Sequence, residues 1–135
     1  MIFDSTALGK TTKALLGENV KFLEQQRKFF CLWGACCETI YKTEPFKVFC
    51  KANGLVTEKG NYKTSAEAGI RYLRNDPKLI EDHTALSDCI IEAEILKAVL
   101  EFETKKEILF TRNEIISHPW KIVGKEELVQ TVVQD

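Results

Sequence analysis

Glu81-Asp82-His83-Thr84-Ala85-Leu86-Ser87-Asp88, running on into Ile91-Glu92-Ala93-Glu94-Ile95-Leu96, is the stretch that organises the reading of this 135-residue sequence. Leu86, Ile90, Ala93, Leu96 or Lys97, and Leu100 recur at helical spacing and predict one amphipathic helix over residues 84–103. A histidine just ahead of such a helix and an aspartate in its first or second turn can converge on one cleft. There the imidazole can act as a general base and the carboxylate as a hard oxygen ligand for Mg²⁺ or Mn²⁺. The same residue types also cap helices and complement the helix dipole, and residues 81–88 taken alone favour that plainer role.

Upstream, Thr64-Ser65-Ala66-Glu67 has the form of a capping box, with the Thr64 hydroxyl accepting from the amide of the third helical residue. The helix it opens should run through Ala68, Ile70, Tyr72 and Leu73 to Asn75, ending before Pro77. Glu58-Lys59-Gly60-Asn61 reads as a turn. Cys37, Ile40 and Tyr41, then Phe46, Phe49 and Cys50 after Pro45, predict two short helices or one broken at the proline, ended by Asn53-Gly54. The aromatic run Lys28-Phe29-Phe30-Cys31-Leu32-Trp33, bounded by Gly34, predicts a buried strand. Residues 4–16 predict a short helix begun by Asp4 or Ser5 and stopped at Gly17. Gly9-Lys10-Thr11-Thr12 is not a P-loop, because Asp4 stands where the first glycine is required and no buried strand precedes it. Beyond Thr104, Ile108-Leu109-Phe110, Ile115-Ile116 and Ile122-Val123, separated by polar residues and Pro119, predict short strands or a strand and a helix.

Composition bounds the function classes. Nineteen Lys and Arg against twenty Asp and Glu give a formal net charge of -1, and 44% hydrophobic with 29% charged residues describe a folded domain with one core. Disorder and a large basic nucleic-acid clamp are excluded. Lys10, Lys13, Lys21, Arg27 and Lys28 could form a basic face for phosphates, although a solvated helix face is the plainer account. The apolar stretches fall far short of the roughly 20 residues of a membrane span, and Met1-Ile2-Phe3-Asp4 is no basic leader, so a cytoplasmic protein with no membrane partner is expected. Cys31, Cys36, Cys37, Cys50 and Cys89 are odd in number and contain no C-x-x-C. They are expected to be reduced core thiols. A zinc site drawn from Cys31, Cys36 or Cys37 with His83 matches no common ligand spacing. In His118-Pro119-Trp120 the tryptophan reads as a packing anchor more readily than as a base-stacking platform.

H-T-A-L-x-D over residues 83–88, with the trailing I-E-x-x-I-L over residues 91–96, resembles the third motif of the DEDDh 3'-5' exonucleases of the RNase H-like superfamily. Phe30-Cys31-Leu32-Trp33, Phe49-Cys50-Lys51-Ala52-Asn53-Gly54, Thr64-Ser65-Ala66-Glu67 and Tyr72-Leu73 resemble, in their order, features between the second and third motifs of phage-type members. Ile2-Phe3-Asp4-Ser5-Thr6-Ala7-Leu8 is similar to the final part of the second motif. The resemblance covers about residues 2–103, leaving 104–135 as a C-terminal extension expected to pack on the same domain.

The resemblance implies that Asp88 and Asp4 bind metal, that His83 takes a proton from the attacking water, and that Mg²⁺ or Mn²⁺ is the cofactor. The reaction implied is two-metal hydrolysis of the 3'-terminal phosphodiester of single-stranded DNA or RNA, in a bacterial or phage-infected host cytosol. The first motif, D-x-E, has no counterpart: nothing before Asp4 can hold it, and Glu92-Ala93-Glu94 lies within the long helix, where successive side chains point about 100° apart. The expected fold is therefore α+β but predominantly helical, a truncated RNase H-like exonuclease fold with few strands. Such a chain would be incomplete for catalysis alone and would need a complementing chain; a homodimer could complete the sheet but not the carboxylates. Two further expectations stay open: a degenerate relative that binds a protein or nucleic acid without cutting, and a small helical interaction module.

Overall fold

Helices dominate the computed structural model, which describes residues 10, 11, 13–17, 31–106 and 117–126. The chain forms two compact units, Met1–Cys31 with Arg112–Glu114 and Leu32–Thr111 with Ile115–Asp135. In the first unit residues 10, 11 and 13–16 are helical and end at Gly17, whose φ of 92° and N–H bond to the Lys13 carbonyl (3.1 Å) make the stop read from the sequence. Lys10 and Lys13 are exposed. Asp4, the helix start at Asp4 or Ser5, and Lys21, Arg27 and Lys28 of the basic face lie outside the described residues.

The second unit carries α1 (Leu32–Glu38), a 3₁₀ turn (Ile40–Lys42), α2 (Glu44–Ala52), α3 (Ala66–Leu73), α4 (Ala85–Lys106) and α5 (Trp120–Val123). Two isolated antiparallel bridges, Val56 with Tyr62 and Asn61 with Lys125, are the only β pairing among the described residues. In the aromatic run read as a strand, Leu32 and Trp33 open a helix instead, while Lys28, Phe29 and Phe30 lie outside the described residues. A short apolar run does not separate a buried strand from a buried helix. Here the small residues Gly34, Ala35, Cys36 and Cys37, all buried in α1, let a helix be enclosed on most of its circumference. Ile122 and Val123 are helical, as one of the two readings of the tail allows, and Ile108-Leu109-Phe110 and Ile115-Ile116 lie outside the described residues.

Pro45 does not break a helix but sits in the first turn of α2, where its missing N–H costs nothing, and Asn53 and Gly54 (φ 67°) terminate α2 as read. The α3 cap is displaced by one residue from its expected place. Ser65, not Thr64, accepts the Ala68 N–H (3.2 Å), while the Thr64 hydroxyl accepts from Trp33 Nε1 (2.9 Å). Asn75, at φ 50°, follows the end of α3 ahead of Pro77.

Phe46 is the centre of the core. Its ring stacks on Tyr41 at 4.4 Å and meets Tyr72 edge-on at 5.3 Å, and Tyr72 in turn lies 5.6 Å from Phe49. Burial first, and then the neighbouring Cys36 and Cys37, hold the Tyr41 hydroxyl well above its ordinary pKa. It is therefore a neutral donor, bonded to the Ser65 carbonyl at 3.2 Å. Burial also pushes the Cys50 thiol up to about 12, and none of the five cysteines is in a disulfide. A Cβ at Gly69 would clash with the Tyr41 hydroxyl oxygen, which a wedged aromatic ring cannot easily move. Gly69→Ala is expected to cost about 1–3 kcal/mol as overpacking, read as a shift in the urea midpoint with unchanged slope.

The long helix α4 buries a different face from the one the sequence pattern singled out. Ile91, Ile95 and Val99 are buried with Ala98 and Phe102 packed beside them, whereas Leu86, Ile90, Leu96 and Leu100 are exposed. Both sides of the helix are apolar, so periodicity alone had two solutions. Among the described residues no helix is long and apolar enough to cross a membrane.

The C-terminal segment is clasped to the core. Pro119 and Val123 are fully buried, the Glu126 N–H donates to the Gly60 carbonyl (2.8 Å), and the Glu126 carboxylate takes the Tyr62 hydroxyl and pairs with Lys51 (2.8 Å). Lys51, and then Tyr62, hold the Glu126 carboxyl below its usual range. A carboxylate lowered in the folded state contributes stability above its unfolded pKa and loses it as pH falls through the folded one. Acidification through the carboxylate range is therefore expected to lower the protection factor of the Glu126 amide, taken against intrinsic exchange at the same pH, and Glu126→Gln should remove that loss of protection. An unchanged profile in the variant would assign the effect to other groups.

Candidate metal centre

The connection from α3 to α4 is built to present side chains. Arg71 on α3 pairs with Glu67 at 2.7 Å and its Nε donates to the Leu79 carbonyl at 2.7 Å, pinning the connection to α3. Further on, Asp82 Oδ1 accepts from the Thr84 N–H (3.1 Å) and hydroxyl (3.0 Å), and the Thr84 hydroxyl in turn accepts from the Ser87 N–H (3.3 Å). Thr84 is thus the N-cap of α4, and these bonds, the Thr84 amide foremost, hold the Asp82 carboxyl below its ordinary pKa. Asp82 supports the cap. His83 between them takes φ 54°, a left-handed conformation that histidine visits more readily than most residues but at a cost.

That turn brings Glu81, His83 and Asp88 together: one ligand atom from each lies within 4.8 Å of the others. Among the described residues this is the only such grouping, and it contains no thiol. Cys36 and Cys37 are buried in the core, where the sequence reading put them as core thiols. His83 Nδ1 stands 3.8 Å from Glu81 Oε2, with the imidazole largely exposed and the Glu81 side chain nearly buried. Asp88, half-buried in the first turn of α4, also complements the positive end of the helix dipole. A depression of about 170 Å³ lined by Ala66, Glu81, Asp88, Ile91 and Glu92 opens over the two carboxylates.

Burial, and then the Glu67 carboxylate, raise the Glu81 carboxyl above its ordinary value; Asp88 adds to this, while His83 and Arg71 oppose it. A carboxyl crowded by like charges is what an added cation would relieve. The two carboxylates could hold one divalent ion, Mn²⁺ or Mg²⁺, which leaves the exposed imidazole to take up a proton. Two ions would need more carboxylates than Glu81 and Asp88 supply.

Of the three site residues expected from the sequence, the structure brings His83 and Asp88 together, and Asp4 lies outside the described residues. Glu81 had no assigned role. Its position two residues before His83 was visible, but the left-handed turn that folds the imidazole back beside it was not. No protein-family model, curated protein or solved structure matches the chain.

Proposed function

We propose that this chain is the C-terminal part, or a degenerate relative, of a metal-dependent 3'-5' exonuclease, incomplete for catalysis alone. The convergence of Glu81, His83 and Asp88 carries this reading, because it joins two residues of the H-T-A-L-x-D motif to a third ligating group. Glu81 and Asp88 would hold a divalent ion, Mn²⁺ or Mg²⁺, which when bound supplies charge stabilisation to a phosphoryl oxygen and acidity to a water. His83, on the exposed side of the cluster, is the group placed to accept the proton of an attacking water. The Asp82–Thr84 cap fixes the backbone between them and takes no part in the chemistry.

The test is release of mononucleotides from the 3' end of single-stranded DNA and RNA with Mg²⁺ or Mn²⁺. The chain is assayed alone and with a polypeptide that supplies a D-x-E strand. Release only with the complementing polypeptide is the expected result. No release in any combination sinks the enzymatic reading.

A second reading, a non-catalytic binding module, draws on the exposed Leu86, Ile90 and Leu96 of α4. It requires that Ile90→Glu alter self-association in sedimentation while Asp88→Asn does not.

A further inference from the structure

A second cavity, of about 380 Å³, lies beside the carboxylate depression and shares Ala66 and Glu92 with it. That volume is at the lower end of small-molecule sites, roughly 300–1,000 Å³. Leu32 and Trp33 of α1, Ala66 of α3 and Ile95 of α4 give it apolar walls.

Its neutral polar groups are already engaged with each other. Trp33 Nε1 donates to Thr64 Oγ1, the Tyr41 hydroxyl donates to the Ser65 carbonyl, and the Ser65 hydroxyl accepts from the Ala68 amide. Locked by its bond to Thr64, the Trp33 ring is held in place yet remains 44% exposed. Glu92 is the one charged residue of the lining and has no ion-pair partner among the described residues. Among the described residues no lysine or arginine lines either cavity, and Glu81 and Asp88 stand in the adjoining one. The field at the mouth is therefore negative, next to an indole whose π-face also attracts cations.

The geometry points to a binding site for a small organic ammonium with an apolar body, its ring or chain against Leu32, Trp33 and Ile95 and its cationic head at Glu92. Burial of the apolar body provides affinity, and the carboxylate with the indole provides selection for positive charge. None of its walls belongs to the Glu81–His83–Asp88 cluster, so it can be tested without metal.

Three isosteric probes test it on the full chain without added metal: phenethylammonium, 2-phenylethanol and 3-phenylpropionate. Binding is followed through the Trp33 indole N–H resonance, assigned with Trp33→Phe. Phenethylammonium should shift that resonance saturably and bind about fivefold or more tightly than the alcohol, with the carboxylate probe weakest. Glu92→Gln, a change on an exposed helical position, should bring the ammonium and the alcohol to similar affinity. The proposal is overturned if the native chain binds the alcohol as tightly as the ammonium, or if Glu92→Gln leaves the ammonium affinity unchanged. Absence of any saturable shift up to about 20 mM probe overturns it as well.

Discussion

Asp88→Asn is expected to weaken Mn²⁺ binding by on the order of 10- to 100-fold and to remove any ion-dependent release of mononucleotides. The substitution keeps the side-chain volume and leaves the Thr84 cap of α4 intact, so the fold should survive. What it removes is one of two anionic oxygen donors, together with a favourable helix-dipole contact worth about 0.3–1 kcal/mol. Asp82→Asn is the comparison: it perturbs the Thr84 cap next to the cluster but removes none of its ligand atoms, and should weaken Mn²⁺ binding far less than Asp88→Asn does. Calorimetric titration at neutral pH, with a thermal melt of each variant, separates the two effects. Glu81 adds a pH signature. Its carboxyl is raised by burial and by Glu67, so on the acid side an ion competes there with a proton. Affinity should therefore climb as pH rises through the Glu81 pKa, and Glu81→Gln should flatten the climb. Equal affinity in the native chain and Asp88→Asn would place the ion elsewhere.

His83 and Asp88 were legible in the sequence because they stand in one motif at the mouth of a helix whose existence was plain from its length and spacing. Glu81 was not, since its membership depends on a single residue at positive φ. The helices α2, α3 and α4 and the stops at Asn53-Gly54 and Gly17 followed from local chemistry: a proline in a first turn, glycines free to take positive φ, a hydroxyl cap. The failures were of a different kind. Trp33 opens a helix whose next four residues are small enough to be buried, and its indole N–H finds Thr64, 31 residues away, a partner that no local pattern reports. The face of α4 that turns inward is decided by what α1 and α3 present to it. Leu86, Ile90 and Leu100 on one side, and Ile91, Ile95 and Val99 on the other, are equally hydrophobic choices. The RNase H-like expectation turns on sheet pairing, and the described residues supply two isolated bridges.

Phe46→Ala is expected to destabilise the fold by about 3–5 kcal/mol, the cost of emptying a fully buried aromatic position, while Val48→Ala on the exposed side of α2 should stay within about 0.5 kcal/mol. Phe46 does more than fill space. Its stack against Tyr41 holds that ring where the hydroxyl reaches the Ser65 carbonyl at the start of α3, and where it crowds Gly69 one turn further on. The three positions are therefore coupled, and the coupling has a predictable sign. In the native chain Gly69→Ala drives a Cβ into a ring that cannot retreat. With Phe46 removed, the Tyr41 ring has room to retreat, and the same substitution should cost less. The double variant is expected to be more stable than the sum of the single effects implies, by roughly 0.5–3 kcal/mol in a denaturation cycle. Strict additivity would show that Gly69 is constrained by its own backbone and not by Tyr41, and that the aromatic cluster does not set the spacing between α2 and α3.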